Sequence, residues 1–282
     1  MTPRIQGVIV GLALAGLVAL VAATGEAGGE KATTWKAFLP DEPAQALAKR
    51  SLTRIVERTK KDAEPSGEVR AEALILVGYA HTVKDASKTA ELRDGALALV
   101  QDAADPKGAE QMHMLAAGLA EGKTKFAEPI KIKDWPQFIG DIKAVMTLFE
   151  SKAKKGEGLH SDLQYSPKIK NINGSEALIY ALADKKLNDA NAAKVSKELE
   201  LLAYRVAVIG EMCRVRGPGS YPKSDKKDDK KPDSKIWAEQ SVVMRDASIE
   251  LAVAASKKDS AGILEACKKL ENTCVECHAE FK

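Results

Sequence analysis

Apolar side chains recur every three or four residues along most of the chain, which is the spacing of one face of an α-helix. The clearest stripe of this kind lies near the C-terminus and consists of Ile263, Cys267, Leu270, Cys274, Cys277 and Phe281. A second stripe consists of Leu199, Leu202, Val206, Ile209 and Cys213. Aromatic residues make up only 5% of the chain, so the composition also favours helices over β-structure. We predict an all-α protein.

The predicted helices fall into two groups. The first group covers about residues 42–62, 68–83, 87–104 and 106–122. The second group begins near Trp135 with a helix whose stripe runs from Phe138 to Phe149, and it continues at about 175–184, 189–214, 236–256 and from 259 onward. Connections of a few residues make neighbouring helices antiparallel. The sequence therefore predicts two tandem up-and-down four-helix bundles, at residues 35–125 and 130–282.

A weak internal duplication agrees with this division. Leu92-Arg93-Asp94 aligns with Met244-Arg245-Asp246, and the same register matches Leu99 with Leu251. Self-similarity of this kind indicates a repeated structural unit. We expect the two bundles to be copies of one ancestral unit.

Residues 1–27 have the pattern of a signal peptide. Arg4 precedes an uncharged run from Ile5 to Ala23, and small residues follow it. A basic start, an apolar stretch and a small-residue end are typical of secretory signals. The alternative is an uncleaved anchor, because a run of this length is nearly enough to span a bilayer. Both interpretations predict a periplasmic protein, bound to a membrane only if residues 5–23 are retained.

Charge and cysteine content narrow the classes of protein further. The 282 residues include 43 Lys and Arg against 40 Asp and Glu, a net charge of +3, which gives no basic surface for nucleic acid. The run 223–235 is almost wholly charged but mixes both signs, so we predict a solvated loop. Four cysteines are too few for a disulfide scaffold, yet three of them lie in the last sixteen residues.

The last helix carries a motif with specific chemistry, Cys274-Val275-Glu276-Cys277-His278. C-x-x-C-H is the attachment pattern of c-type haem. Two cysteines three residues apart share one helical turn, where each can form a thioether with a haem vinyl group, and the adjacent imidazole can bind the iron. Haem attachment takes place outside the cytoplasm, in agreement with the predicted export. The motif predicts one covalent haem c on Cys274 and Cys277, with His278 as an iron ligand.

Two other interpretations of the motif depend on context. A thioredoxin-like redox pair belongs in a βαβ unit, which the pattern does not contain. A zinc site would need two more ligands, and only Cys213 and Cys267 are candidates. We expect these two cysteines to be buried thiols, and a disulfide between them is the alternative in an oxidising compartment.

The position of the motif points to one group of cytochromes. The ending His278-Ala279-Glu280-Phe281-Lys282 resembles the H-x-x-[FY]-[RK] ending of class II c-type cytochromes, which are the cytochrome c′ family and its low-spin relatives, and Lys235-Ile236-Trp237 resembles the start of that family's third helix. The resemblance covers about residues 135–282 and implies a four-helix bundle with the haem between its helices. The first half contains no C-x-x-C-H, so we expect a single haem, and His81 and His113 are expected to be ordinary histidines.

The resemblance also implies the place of a sixth iron ligand. In low-spin members of the family a methionine on the first helix of the bundle binds the iron opposite the histidine, and Met146 falls at that place by helix register. Met146 is thus the candidate second ligand beside His278. The alternatives are that Met146 only fills the core, that His160 binds instead, or that the iron is five-coordinate with Leu148 as an apolar neighbour.

These patterns predict an exported monohaem c-type cytochrome that carries single electrons between periplasmic redox proteins and is not an enzyme. A five-coordinate iron would instead suit binding of nitric oxide or carbon monoxide. A third hypothesis makes the first bundle a docking module that tethers the haem half to a larger redox assembly. A homodimer is among the assemblies that the sequence leaves open.

Overall fold

The computed structural model describes residues 34–60, 67–85, 89–105, 108–126, 128–140, 149, 174–184, 187–218 and 233–281. Within these ranges the chain forms α-helices and no β-strand, so the all-α prediction is confirmed. The helices are α1 (Asp41–Thr59), α2 (Gly67–Thr82), α3 (Ala90–Asp102), α4 (Ala109–Ala120), α5 (Trp135–Ile139), α6 (Ser175–Asp184), α7 (Asp189–Arg216), α8 (Ser234–Ser256) and α9 (Ser260–Phe281). No helix in the described ranges is long and apolar enough to cross a membrane.

The first four helices pack in a ring. Helix α1 contacts α2 and α4, α2 contacts α3, and α3 contacts α4. Helix α2 is buried on nearly all sides, from Val69 to Thr82, which is typical of a helix in the centre of a structure. It also packs against α7, and the apolar core continues from one group of helices into the other.

The later helices surround α7. Helix α7 packs against α8 and the short α5, α8 packs against α9, and α9 packs against α6. Residues 31–282 cluster into one compact unit by their contacts. The division into two bundles, between residues 125 and 130, stays a prediction.

The segment before α1 connects the two groups of helices. The backbone N–H groups of Phe38 and Leu39 donate to Thr82 O at 2.8 and 2.9 Å, and Lys36 N donates to Glu211 Oε1 on α7 at 2.6 Å. Helix α2 and helix α7 are therefore linked by polar contacts in addition to their apolar packing.

Helix boundaries agree well with the sequence pattern except at one place. Asp259 caps the start of α9, because its Oδ1 accepts from the N–H groups of Ala261 and Gly262 at 3.1 and 3.0 Å. The predicted helix from Phe138 to Phe149 is wrong at Gly140, because α5 ends at Ile139, and residues 141–148 lie outside the described residues. Gly140 has φ +82° and ψ −139°, which leaves the helical region and which glycine adopts readily.

Three rings pack where the lead segment, α2 and α5 meet. Trp35 stacks on His81 with ring centroids 5.3 Å apart, and Trp135 meets both edge-on at 5.2 and 4.8 Å. Burial lowers the pKa of His81 to about 4, and the nearby charge of Arg93 acts in the same direction while Asp94 opposes it. His81 Nε2 is also buried without a hydrogen-bond partner in the described part of the chain.

We expect the free energy of unfolding to fall as the pH drops from 6.5 to 4, because the unfolded chain then binds a proton at His81 that the folded chain does not. A pKa of 6.5 in the unfolded state and about 4 in the folded state gives a loss of about 3 kcal/mol over this window. In urea titrations at several pH values, His81→Phe should remove this part of the pH dependence. An unchanged slope in the variant would contradict the assignment.

Candidate functional site

Helix α9 places the three residues of the motif within one turn at its C-terminal end. Along the predicted stripe, Ile263, Cys267 and Leu270 are at most 1% exposed. Cys274 and Cys277 are half-buried, and so is His278. The stripe therefore leaves the core where the motif begins, so that both thiols are partly accessible from outside.

A cleft opens beside the motif. Its walls come from α6, α7, α8 and α9, and its volume is about 490 Å³ when the part open to solvent is included. The lining residues are Phe149, Glu176, Cys213, Trp237, Gln240, Ser241, Met244, Thr273, Cys274, Cys277 and His278. The surface of this lining is mainly apolar and includes two aromatic rings, three thiols and the thioether of Met244, as is common in sites for small molecules and cofactors.

Hydrogen bonds fix the α8 wall of the cleft to its neighbours. Trp237 Nε1 donates to Cys213 O on α7 at 2.7 Å, and Ser241 Oγ donates back to Trp237 O at 2.8 Å. On the other side, Gln240 Nε2 donates to Glu276 Oε2 on α9 at 2.9 Å. Hydrogen bonds therefore join α8 to α7 and to α9, the helices that carry the thiols of the cleft.

All four cysteines are free thiols. Burial raises the pKa of Cys274 to about 12 and that of Cys277 to about 11, and the nearby charge of Glu176 acts in the same direction. Both thiols are therefore protonated at neutral pH. Because thiolates are the species that react to form disulfides, this environment slows oxidation of the two thiols.

Cys213 and Cys267 are buried thiols, as expected, with exposures of 3% and 0%. The alternative of a disulfide between them is not what the structure contains. Cys213 has a second feature that the sequence did not indicate, because it lines the cleft together with Cys274 and Cys277. In the described residues no three or more His, Cys, Asp or Glu side chains are grouped to hold a metal ion.

Two polar residues of α6 lie next to the imidazole of the motif. Glu176 Oε1 is 3.6 Å from His278 Nδ1, and Tyr180 Oη donates to the same carboxylate oxygen at 3.0 Å. Neither residue belongs to a motif that the sequence shows. Their spacing of four residues on a helix was visible, but nothing in the sequence placed that helix against α9.

The candidate sixth ligands differ in what the structure says of them. Met146 and the alternatives Leu148 and His160 lie outside the described residues. Met244, which the sequence analysis treated only as part of the duplication, lines the cleft from α8. Met244 is therefore a second candidate, besides Met146, for the sixth iron ligand.

The donors in this cleft match the chemistry of a c-type haem. Two free thiols one helical turn apart and an imidazole next to them are what covalent attachment and iron ligation need, and they face a mainly apolar space. The cleft also contains a polar atom that the protein does not satisfy, because Gln240 Oε1 is buried with no hydrogen-bond partner among the described residues. The residues fit the group that the motif predicts.

Comparison of this chain with protein-family models, with curated proteins and with solved structures finds no match.

Proposed function

We propose that this protein is an exported c-type cytochrome with one covalent haem, and that it carries single electrons between redox proteins. The observation that carries the proposal is the placement of Cys274, Cys277 and His278 on the last turns of a helix that borders an apolar cleft. A sequence motif alone could lie on any surface. Here both thiols and the imidazole face one space whose surface is mainly apolar.

In this proposal Cys274 and Cys277 would hold the haem through thioethers, and His278 would bind its iron. The bound haem supplies a one-electron iron centre. The chain contributes orientation and a low-polarity surrounding, since Trp237 and Phe149 are only 3% and 6% exposed. Exclusion of water by such side chains limits the reorganisation that accompanies a change of charge.

We further propose that both groups of helices are up-and-down four-helix bundles and that the second is class II-like. The ring of contacts through α1, α2, α3 and α4 supports this for the first group. The duplicated Arg-Asp pairs also support it, because they make the same contact. Arg93 binds Asp94 through Nε and Nη2 at 3.0 and 3.3 Å, and Arg245 binds Asp246 through the same atoms at 2.7 and 3.2 Å.

Met146 remains our proposal for the sixth ligand. Phe149, three residues later in the sequence, lines the cleft, and the class II resemblance places the ligand on this segment of the chain. A methionine opposite a histidine keeps the iron six-coordinate and raises its reduction potential. Six-coordination suits electron transfer, whereas a five-coordinate iron would suit gas binding.

The test is the absorption spectrum of the full chain, produced in a host that attaches c-type haem and measured oxidised and dithionite-reduced, before and after carbon monoxide. We expect haem that stays with the chain on a denaturing gel and a low-spin spectrum that carbon monoxide does not change. A high-spin spectrum that shifts with carbon monoxide would make gas binding the function. Absence of covalent haem would overturn the proposal.

Two methionine variants separate the candidates for the sixth ligand. We expect Met146→Ala to turn the oxidised spectrum high-spin and to let carbon monoxide bind, because the iron loses a ligand. Met244→Ala, the matched control on α8, should keep the low-spin spectrum. The reverse result would assign the ligand to Met244, and a low-spin spectrum in both variants would exclude both thioethers.

A further inference from the structure

The imidazole of His278 has an acidic neighbour on another helix. Glu176 lies in the first turn of α6, and α6 packs against α9. Its Oε1 atom is 3.6 Å from His278 Nδ1, and the two side chains are 32% and 27% exposed. This pair is therefore set at the edge of the cleft, partly shielded from water.

Glu176 is itself held by a second residue. Tyr180, one helical turn further along α6, donates its hydroxyl to Glu176 Oε1 at 3.0 Å. Burial raises the pKa of Tyr180, and the hydrogen bond to Glu176 acts in the same direction, so the hydroxyl keeps its proton and remains a donor. The carboxylate thus has a defined position on the side of the imidazole that faces α6.

We propose that Glu176 is the positioning residue for the iron ligand His278. Its carboxylate accepts the Nδ1–H group of the imidazole, which selects the tautomer that leaves Nε2 for the iron and sets the orientation of the ring. This inference deepens the proposed function and rests on it. Tyr180 is part of the same arrangement because it keeps the carboxylate in place.

The distance between Glu176 Oε1 and His278 Nδ1 is compatible with a hydrogen bond that forms once the imidazole ring is fixed in position. A separation of 3.6 Å is beyond the range of an N–H···O hydrogen bond, but a small rotation of either side chain removes the difference. Imidazoles that bind metals almost always donate their other N–H to a carboxylate, a carbonyl or water. Such contacts are often long before the site is complete.

The arrangement has a consequence for the reduction potential of the iron. An imidazole that donates to a carboxylate is a stronger electron donor at Nε2, and a nearby negative charge also favours the oxidised, more positive iron. Both effects lower the potential. Glu176 therefore opposes the increase that a methionine ligand would bring, and the final potential reflects both residues.

The experiment measures the midpoint potential of the haem-loaded full chain in three variants. Glu176→Gln removes the charge, and we expect the equilibrium constant for reduction to rise about tenfold, which is about 59 mV for one electron. Glu176→Asp keeps the charge but withdraws the carboxylate by one methylene, and we expect a smaller rise. Glu271→Gln is the control, because Glu271 is close enough to influence the charge state of Cys274 and carries the same charge.

The outcomes distinguish this inference from the proposed function. Both proposals require covalent haem on the wild-type chain, and its absence would overturn the proposed function as well as the role of Glu176. With haem present, a Glu271→Gln shift as large as that of Glu176→Gln would show a general charge effect and overturn the positioning role. A Glu176→Asp potential equal to that of the wild type would overturn it as well. A purely structural role would change the midpoint of urea unfolding and leave the potential unchanged.

Discussion

Replacement of both Cys274 and Cys277 by alanine should leave no covalently bound haem on the chain. Both thiols are free and line the cleft, and each would provide one thioether. The single variants should each keep one bond and bind haem covalently in lower yield. The measurement is haem staining of a denaturing gel together with the mass of the intact chain, which rises by one haem in the wild type only if attachment has occurred.

Cys213 provides the matched control for this prediction. It lines the same cleft but lies on α7 and not on the helix that carries the motif. Cys213→Ala should keep the full yield of covalent haem, and so should Cys267→Ala, whose side chain is fully buried. Loss of covalent haem in either control would show that attachment depends on more than the two thiols of the motif.

Glu211→Gln should lower the free energy of unfolding by about 3 kcal/mol, because it breaks a buried ionic cluster. The Glu211 side chain is 0% exposed and those of Arg214 and Arg245 are 5% and 2% exposed. Its carboxylate accepts from Arg214 Nη2 at 2.7 Å, from Arg245 Nη1 at 2.8 Å and from Lys36 N at 2.6 Å. Removal of the negative charge takes a carboxylate partner from each of two buried guanidinium groups, of which Arg245 keeps its contact with Asp246.

The electrostatics of Glu211 agree with this expectation. Burial alone would raise its pKa, but the hydrogen bonds from Arg214, the Lys36 backbone and Arg245 outweigh it and lower the pKa. The ionised form is therefore the one that the fold stabilises. Urea unfolding of the haem-loaded chain measures the effect, with Glu250→Gln as control.

Glu250 suits that purpose because its contact with Lys269, at 2.7 Å, joins side chains that are 53% and 47% exposed. Exposed pairs contribute less than about 1 kcal/mol. A loss for Glu211→Gln no larger than that of the control would contradict a stabilising role for the cluster.

Most helix positions could be predicted from the sequence because the signals are local. The predicted helix at 175–184 matches α6, and the predicted helices at about 189–214 and 236–256 differ from α7 and α8 by two residues at one end. Spacing of apolar residues and capping by Asp259 depend only on near neighbours. The error at Gly140 has the same origin, because an apolar spacing does not show where a glycine leaves the helical conformation.

The candidate site was predicted only in the part that is contiguous in sequence. Cys274, Cys277 and His278 follow from a motif whose spacing has a chemical reason. Glu176, Met244 and the cleft face of Cys213 did not follow, because they come from three other helices. Which side of each helix meets α9 depends on packing between distant segments, and a periodic pattern shows that a helix has a buried side without showing its neighbour.

By itself, the sequence determined that this protein is helical and that one helical turn carries two thiols and an imidazole. Both are properties of short segments, set by side-chain spacing and backbone preference. Only the tertiary structure decided that an apolar cleft lies beside that turn and that Glu176 lies next to His278. It also decided that Glu211 binds Arg214 and Arg245 in the core. These contacts join residues far apart in the chain, and they form because burial of apolar surface brings the helices together and leaves each buried charge in need of a partner.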